Sequence, residues 1–60
     1  MDKQEWIDRA YARFIERGVE ADEKTRHWAE LCWEAEQEIG FELSPEDAVD
    51  EELMAAAESQ

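Results

Sequence analysis

The sequence has few of the residues that form turns, disulfides and phosphate-binding loops. Its 60 residues include no Asn, one Cys, one Pro and two Gly. A single cysteine, Cys32, excludes an internal disulfide and favours a reducing compartment. Gly18 and Gly40 both fall where a helix is predicted to end, so the chain offers no glycine-rich loop for a phosphate.

Long apolar runs are also missing, since the longest one, which ends in Ala55–Ala57, has five residues. A membrane-spanning helix needs about 20 apolar residues. The first residues lack a basic stretch followed by an apolar run, and neither end of the sequence carries a lipidation motif. The anionic cytoplasmic leaflet would also repel so negative a protein. We therefore expect a cytoplasmic protein that does not bind membranes.

Basic residues are confined to the first 26 positions. That segment holds all six Lys and Arg and seven Asp and Glu, whereas residues 27–60 hold eleven acids and no Lys or Arg. The formal net charge of −12 is therefore concentrated in the second half, which carries −11. This balance excludes a nucleic-acid binder that uses a basic face, and it indicates an acidic face with basic partners.

Apolar residues recur with the period of an α-helix from the start of the chain. A helix is predicted over 3–17, followed by Gly18 in the left-handed cap position and Val19 folding back as in a Schellman motif. Its apolar stripe consists of Trp6, Ile7, Ala10, Tyr11, Phe14 and Ile15.

A second helix is predicted over 23–39, between Asp22 as N-cap and Gly40 as terminator. Its apolar stripe, expected to face the core, consists of Trp28, Leu31, Cys32, Ala35 and Ile39. Trp33 lies off this stripe, near Ala29. This second apolar edge indicates either contact with two neighbouring helices or an anchor for a partner, and we favour the core.

A third helix is predicted over 45–57, with Ser44 as N-cap and Pro45 in the first helical position. Val49, Leu53 and Ala56 share one face, Met54 lies to the side, and residues 58–60 are expected to fray. The fold prediction is a small all-α domain over 1–60: a helical hairpin of the first two helices, plus a third short helix and no sheet. Its core is thin enough for self-association to complete it.

Catalytic and metal-binding residues are sparse. His27 and Cys32 are five residues apart on one predicted helix, so their side chains point about 140° apart. Low thiol pKa values need positive surroundings, which this acidic segment does not offer. Zinc sites need further thiolate or imidazole ligands. We therefore predict a non-enzymatic protein without a cofactor or metal.

The acidic second half indicates an interaction module that docks on a basic surface of a partner protein. Acidic residues would steer the encounter, and apolar residues at the edge would add affinity. The predicted partner-binding residues are Trp33, Glu34, Glu38, Glu42, Glu46, Asp47, Asp50, Glu51, Glu52 and Met54.

Two other interpretations are open. Acidic residues on a helix can approach the linear charge density of duplex DNA. In size and charge pattern the chain resembles the small acidic DNA mimics of phages and plasmids, which include inhibitors of restriction and CRISPR systems. That resemblance implies a nucleic-acid mimic that blocks a DNA- or RNA-handling protein. The third interpretation is a structural helical homodimer that associates through Trp33.

Overall fold

The structure, a computed structural model, describes residues 1–58 and contains three α-helices and no strand in that range. Helix α1 spans Lys3–Glu16, α2 spans Glu23–Glu38 and α3 spans Pro45–Glu58. The predicted all-α fold is confirmed, and each helix ends within one residue of its predicted end. Glu58, expected to fray, is helical, and positions 59 and 60 lie outside the described residues.

Local sequence signals explain where α1 ends and α2 begins. Gly18 has a φ of 93°, the left-handed conformation that glycine adopts without steric cost. The amide of Val19 donates to the carbonyl of Phe14 at 3.0 Å, which completes the predicted Schellman motif. Asp22 then caps α2 by accepting a hydrogen bond from the amide of Thr25 at 3.0 Å.

The connection between α2 and α3 is tied back onto α2. Gly40 and Phe41 both have positive φ, 82° and 58°, and the amide of Phe41 donates to the carbonyl of Glu36 at 2.7 Å. A positive φ is uncommon for a bulky residue, and Phe41 is held there by contacts with the rings of Trp6 and Trp33. The Ser44 hydroxyl then caps α3 by accepting from the amide of Asp47 at 3.2 Å.

Contacts between side chains define an up-down-up arrangement. Lys3 near the start of α1 lies over Trp33 late in α2, whereas Asp8 bonds Arg26 early in α2, so α1 and α2 are antiparallel as predicted. Residues of α1 meet residues of α3 that lie 37 positions later in the sequence, as between Arg9 and Glu46. Helices α1 and α3 are therefore parallel.

The core lies on one face of α1, against α2 and α3. Four residues of the predicted α1 stripe are buried, Tyr11 is half-buried and Ile15 is exposed. Phe14 is fully buried and its ring stacks on Trp28, with centroids 4.5 Å apart. The full buried hydrophobic set is Trp6, Ile7, Ala10, Phe14, Ala29, Cys32, Ala48 and Val49.

The predicted core stripe of α2 is correct for Cys32, which is buried, and for Trp28, which is half-buried against the core, and wrong for its other three residues. The buried residues of α2 are Thr25, Ala29, Cys32 and Glu36, while Leu31, Ala35 and Ile39 of the predicted stripe are exposed. The buried face of α2 is made largely of small side chains such as Ala29 and Cys32, with Trp28 stacked on Phe14. Hydrophobic periodicity does not register which side chains close packing selects.

The predicted stripe of α3 is correct at one end only. Val49 is fully buried and Leu53 is half-buried, but Ala56 is exposed. In the 37-residue register between α1 and α3, the last residue of α1, Glu16, lies level with Leu53. Ala56 therefore extends past the end of α1 and has nothing of that helix to pack against.

Candidate functional site

Arginines of α1 bind two of the carboxylates that the sequence assigns to the partner face. Arg9 makes a bidentate pair with Glu46, at 2.6 and 3.0 Å. Asp50 receives bidentate pairs from both Arg13 and Arg17, at 2.8 to 3.1 Å. Hydrogen bonds from these guanidinium groups hold the pKa of Asp50 well below its usual range. Glu46 and Asp50 therefore face α1 and hold α3 against it.

The fourth arginine and one lysine are also engaged inside the chain. Arg26 of α2 donates to Asp8 of α1 at 2.9 and 3.0 Å, and its guanidinium lies 5.0 Å from the ring centroid of Tyr11. The Lys3 ammonium lies 4.7 Å from the ring of Trp33. All four arginines are thus bound at the seams between helices.

Five of the predicted partner-binding acids stay exposed on α2, α3 and the loop between them: Glu34, Glu38, Glu42, Asp47 and Glu51. Within residues 1–58, none of these five carboxylates forms an ion pair with a basic side chain. A sixth, Glu52, is exposed and accepts a hydrogen bond from the indole of Trp28 at 3.2 Å. Of the eight acids predicted to bind a partner, these six are therefore exposed, whereas Glu46 and Asp50 pair with arginines.

The two apolar residues predicted to anchor a partner lie apart from each other. Trp33 is half-buried and lies 5.8 Å from Phe41 between ring centroids, on the flank of α2 that faces α1. Met54 is 63% exposed and borders a depression that Arg17 and Asp50 also line, beside the seam between α1 and α3. The structure does not bring the two together.

An apolar groove between α2 and α3 was missed by the sequence prediction. It consists of two adjoining depressions of about 280 and 250 Å³, which share Cys32, Ala35 and Glu52 in their walls. Leu31 and Ile39 are 48% and 52% exposed there. Apart from Glu36, the residues that line the groove from α2 and its C-cap are the stripe that was predicted to face the core. They are Trp28, Leu31, Cys32, Ala35 and Ile39.

Acidic side chains border this groove. Glu51 and Glu52 line it from α3. Glu38 is exposed and stands one helical turn beyond Ala35, and therefore lies on the same side of α2. The apolar stripe and the acidic surface of this chain thus meet at one place, between α2 and α3.

The thiol of Cys32 forms part of the groove wall but is only 6% exposed. Burial, with the nearby charges of Glu52 and Glu36, raises the pKa of Cys32 to about 12. The group is therefore protonated at neutral pH and is a weak nucleophile. His27 is exposed, and no three His, Cys, Asp or Glu side chains among residues 1–58 are placed to hold a metal ion.

Comparisons with known proteins give no relative for this chain. No protein family, no curated protein and no solved structure matches it. In the part of the chain that the structure describes, no helix has the length and apolar character needed to cross a membrane.

Proposed function

We propose that this protein is a non-enzymatic interaction module that docks the acidic α2–α3 face on a basic surface of a partner protein. One observation carries the proposal. The arginines of the chain are bound in ion pairs between helices. Among residues 1–58, no basic side chain forms an ion pair with the exposed Glu34, Glu38, Glu42, Asp47 and Glu51. The negative charge of these five residues is therefore not neutralised by an ion pair within the described part of the chain.

An uncompensated face of one sign attracts an oppositely charged surface over about a Debye length, roughly 8 Å at physiological ionic strength. Such attraction raises the association rate and excludes acidic partners.

Two charge-reversal variants with the same net charge test the proposal. In one, Glu34 and Glu51 of the acidic face are changed to Lys; in the control, Glu5 and Glu20, which are exposed outside that face, are changed to Lys. Each pair moves the formal charge from −12 to −8. The measurement is recovery of basic proteins from lysate on immobilised wild type and on both variants, at low and high salt.

We expect wild type and the control to retain a partner that is released as salt is raised, and E34K/E51K to lose it by about tenfold or more. Retention that does not depend on salt contradicts the proposal. Equal loss with both variants contradicts it as well, because the effect then follows total charge and not this face.

A nucleic-acid mimic is a second candidate, and one feature of α2 favours it. Glu30, Glu34 and Glu38 recur every four residues, so their positions are about 6 Å apart along the helix axis. A regular row of negative charge suits a groove that binds a phosphate backbone. This candidate predicts that the partner binds nucleic acid and that the two ligands compete; a ternary complex with nucleic acid would contradict it.

A further inference from the structure

We propose that the groove between α2 and α3 binds one amphipathic helix of the partner, with its apolar side on the groove and Lys or Arg along both edges. This inference rests on the proposed function and gives it a location and a ligand shape. Three features carry it: an apolar floor that the fold leaves open, a length that suits a short helix, and acidic residues on both sides.

The floor is open because α2 and α3 contact each other less than either contacts α1. Leu31 and Ile39 leave about half of their surface in water. Between them lies Ala35, which lines both depressions and carries only a methyl group. An apolar strip of this kind is where an amphipathic helix places residues spaced by three and four positions.

The length of the groove sets the length of its ligand. Its α2 wall extends from Trp28 to Ile39, twelve residues whose first and last positions are about 16 Å apart along the helix axis. A partner helix of about three turns covers this distance. The hydrogen bond from Trp28 to Glu52 joins the two helices at one end.

The charges on both sides decide which occupant fits. Glu38 stands beside the α2 wall, and Glu51 and Glu52 belong to the α3 wall. A helix with Lys or Arg on both flanks pairs with them, and the apolar floor lowers the local dielectric that screens such pairs. A second copy of this chain is disfavoured, since it brings another net charge of −12 to the same place.

The test uses two synthetic peptides of about 18 residues with identical Lys, Leu and Ala composition. In the amphipathic peptide the Leu residues follow helical spacing along one face; in the scrambled peptide they are distributed all round. Affinity for the 60-residue chain is measured by titration at low and high salt. Because charge and composition match, a difference in affinity reports the need for an apolar helix face.

Two double variants that keep the net charge locate the binding site. L31Q/I39Q makes the groove floor polar, and I15Q/M54Q changes two exposed apolar residues outside the groove. All four side chains are at least one third exposed, so both proteins are expected to keep wild-type helicity by circular dichroism. Backbone amide shifts on peptide addition give a second, independent location.

We expect wild type to prefer the amphipathic peptide by about tenfold or more, a preference that L31Q/I39Q loses and I15Q/M54Q keeps. Shifts should be confined to α2 and α3. The inference that the groove binds a helix would be overturned by equal affinity for both peptides, by unchanged affinity in L31Q/I39Q, or by amide shifts centred outside α2 and α3. If both peptides then bind in a salt-sensitive way, the proposed function of the acidic α2–α3 face is retained and only the inference of a helix-binding groove is lost.

Two further outcomes would contradict the inference for different reasons. If neither peptide binds at low salt, the result contradicts the proposed function, and with it the inference that the groove binds a helix. If the protein sediments as a dimer that L31Q/I39Q dissociates, the occupant is a second copy of the chain and the inference of a partner helix is overturned.

Discussion

Glu36 places a carboxylate in the buried face of α2, where 5% of the residue is exposed. Its side chain accepts a hydrogen bond from the amide of Leu43 at 3.0 Å, and its carbonyl accepts one from the amide of Phe41. Both ends of the residue therefore fasten the loop that turns the chain from α2 into α3. Buried polar groups are tolerated when they are paired in this way.

Changing Glu36 to Ala should lower the free energy of unfolding by about 1–3 kcal/mol, because the amide of Leu43 then lacks its acceptor. Glu36→Gln keeps an acceptor oxygen and should cost less than Glu36→Ala. Urea denaturation followed by circular dichroism measures both. Equal costs for the two variants would show that the hydrogen bond does not account for the loss.

At the scale of the elements, the seam between α1 and α3 is made of ion pairs. Arg9, Arg13 and Arg17 recur every four residues, and Glu46 and Asp50 repeat at the same spacing on α3. Parallel helices with matching intervals bring these groups together in register. A row of arginines beside the apolar stripe of α1 is the sequence signal that could have predicted ion pairs along this flank of α1, although it does not identify the acids that form them.

The stability that Asp50 supplies should depend on pH. Its pKa is below the ordinary value of 3.8 in the folded protein. As the pH falls below 3.8, Asp50 takes up a proton in the unfolded chain but stays ionised in the folded protein, so acid favours unfolding. The contribution is complete at pH 7 and declines as the pH falls through 3.8.

We therefore expect Asp50→Asn to melt below wild type at pH 7, by a margin that narrows at pH 3. The matched control is Glu51→Gln, which removes a neighbouring exposed carboxylate and should show no such margin. Thermal melts at both pH values give the comparison. An Asp50→Asn margin of the same size at pH 3 and pH 7 would refute the role of its ionised form.

At the scale of the whole molecule, excess negative charge opposes the fold. The chain carries a net charge of −12 within extents of 29 × 22 × 15 Å. At 0.01 M ionic strength the Debye length is about 30 Å, so every charge in the molecule repels or attracts every other. At 0.15 M it is about 8 Å, and only close neighbours interact.

Stability should therefore increase with salt. We expect the melting temperature to rise on the order of 5 °C between these two ionic strengths, since screening relieves more repulsion than it weakens attraction in the ion pairs. The variant E34Q/E38Q removes two exposed acids, and its melting temperature should rise less with salt than that of wild type. A melting temperature that falls with salt would mean that the arginine pairs outweigh the repulsion.

The helices and their ends were predictable because their causes are local. Asp22, Ser44 and Gly18 act within a few residues of their own positions, by accepting an amide hydrogen bond or by adopting a left-handed backbone. The uneven charge is a property of the composition and needs no fold to be seen. Sequence alone therefore determined the number of helices, their bounds and the excess of acid in the second half.

Tertiary structure decided which faces meet. The α2 stripe from Trp28 to Ile39 has helical spacing whether it is buried or open, and only the packing of the three helices buries Cys32 and leaves Leu31, Ala35 and Ile39 exposed along a groove. Likewise, the sequence cannot distinguish Asp50, bound by two arginines, from Glu51, which stays in water. Contacts of α1 with α2 settle the first question and contacts of α1 with α3 settle the second, because burial and charge pairing depend on neighbours that are distant along the chain.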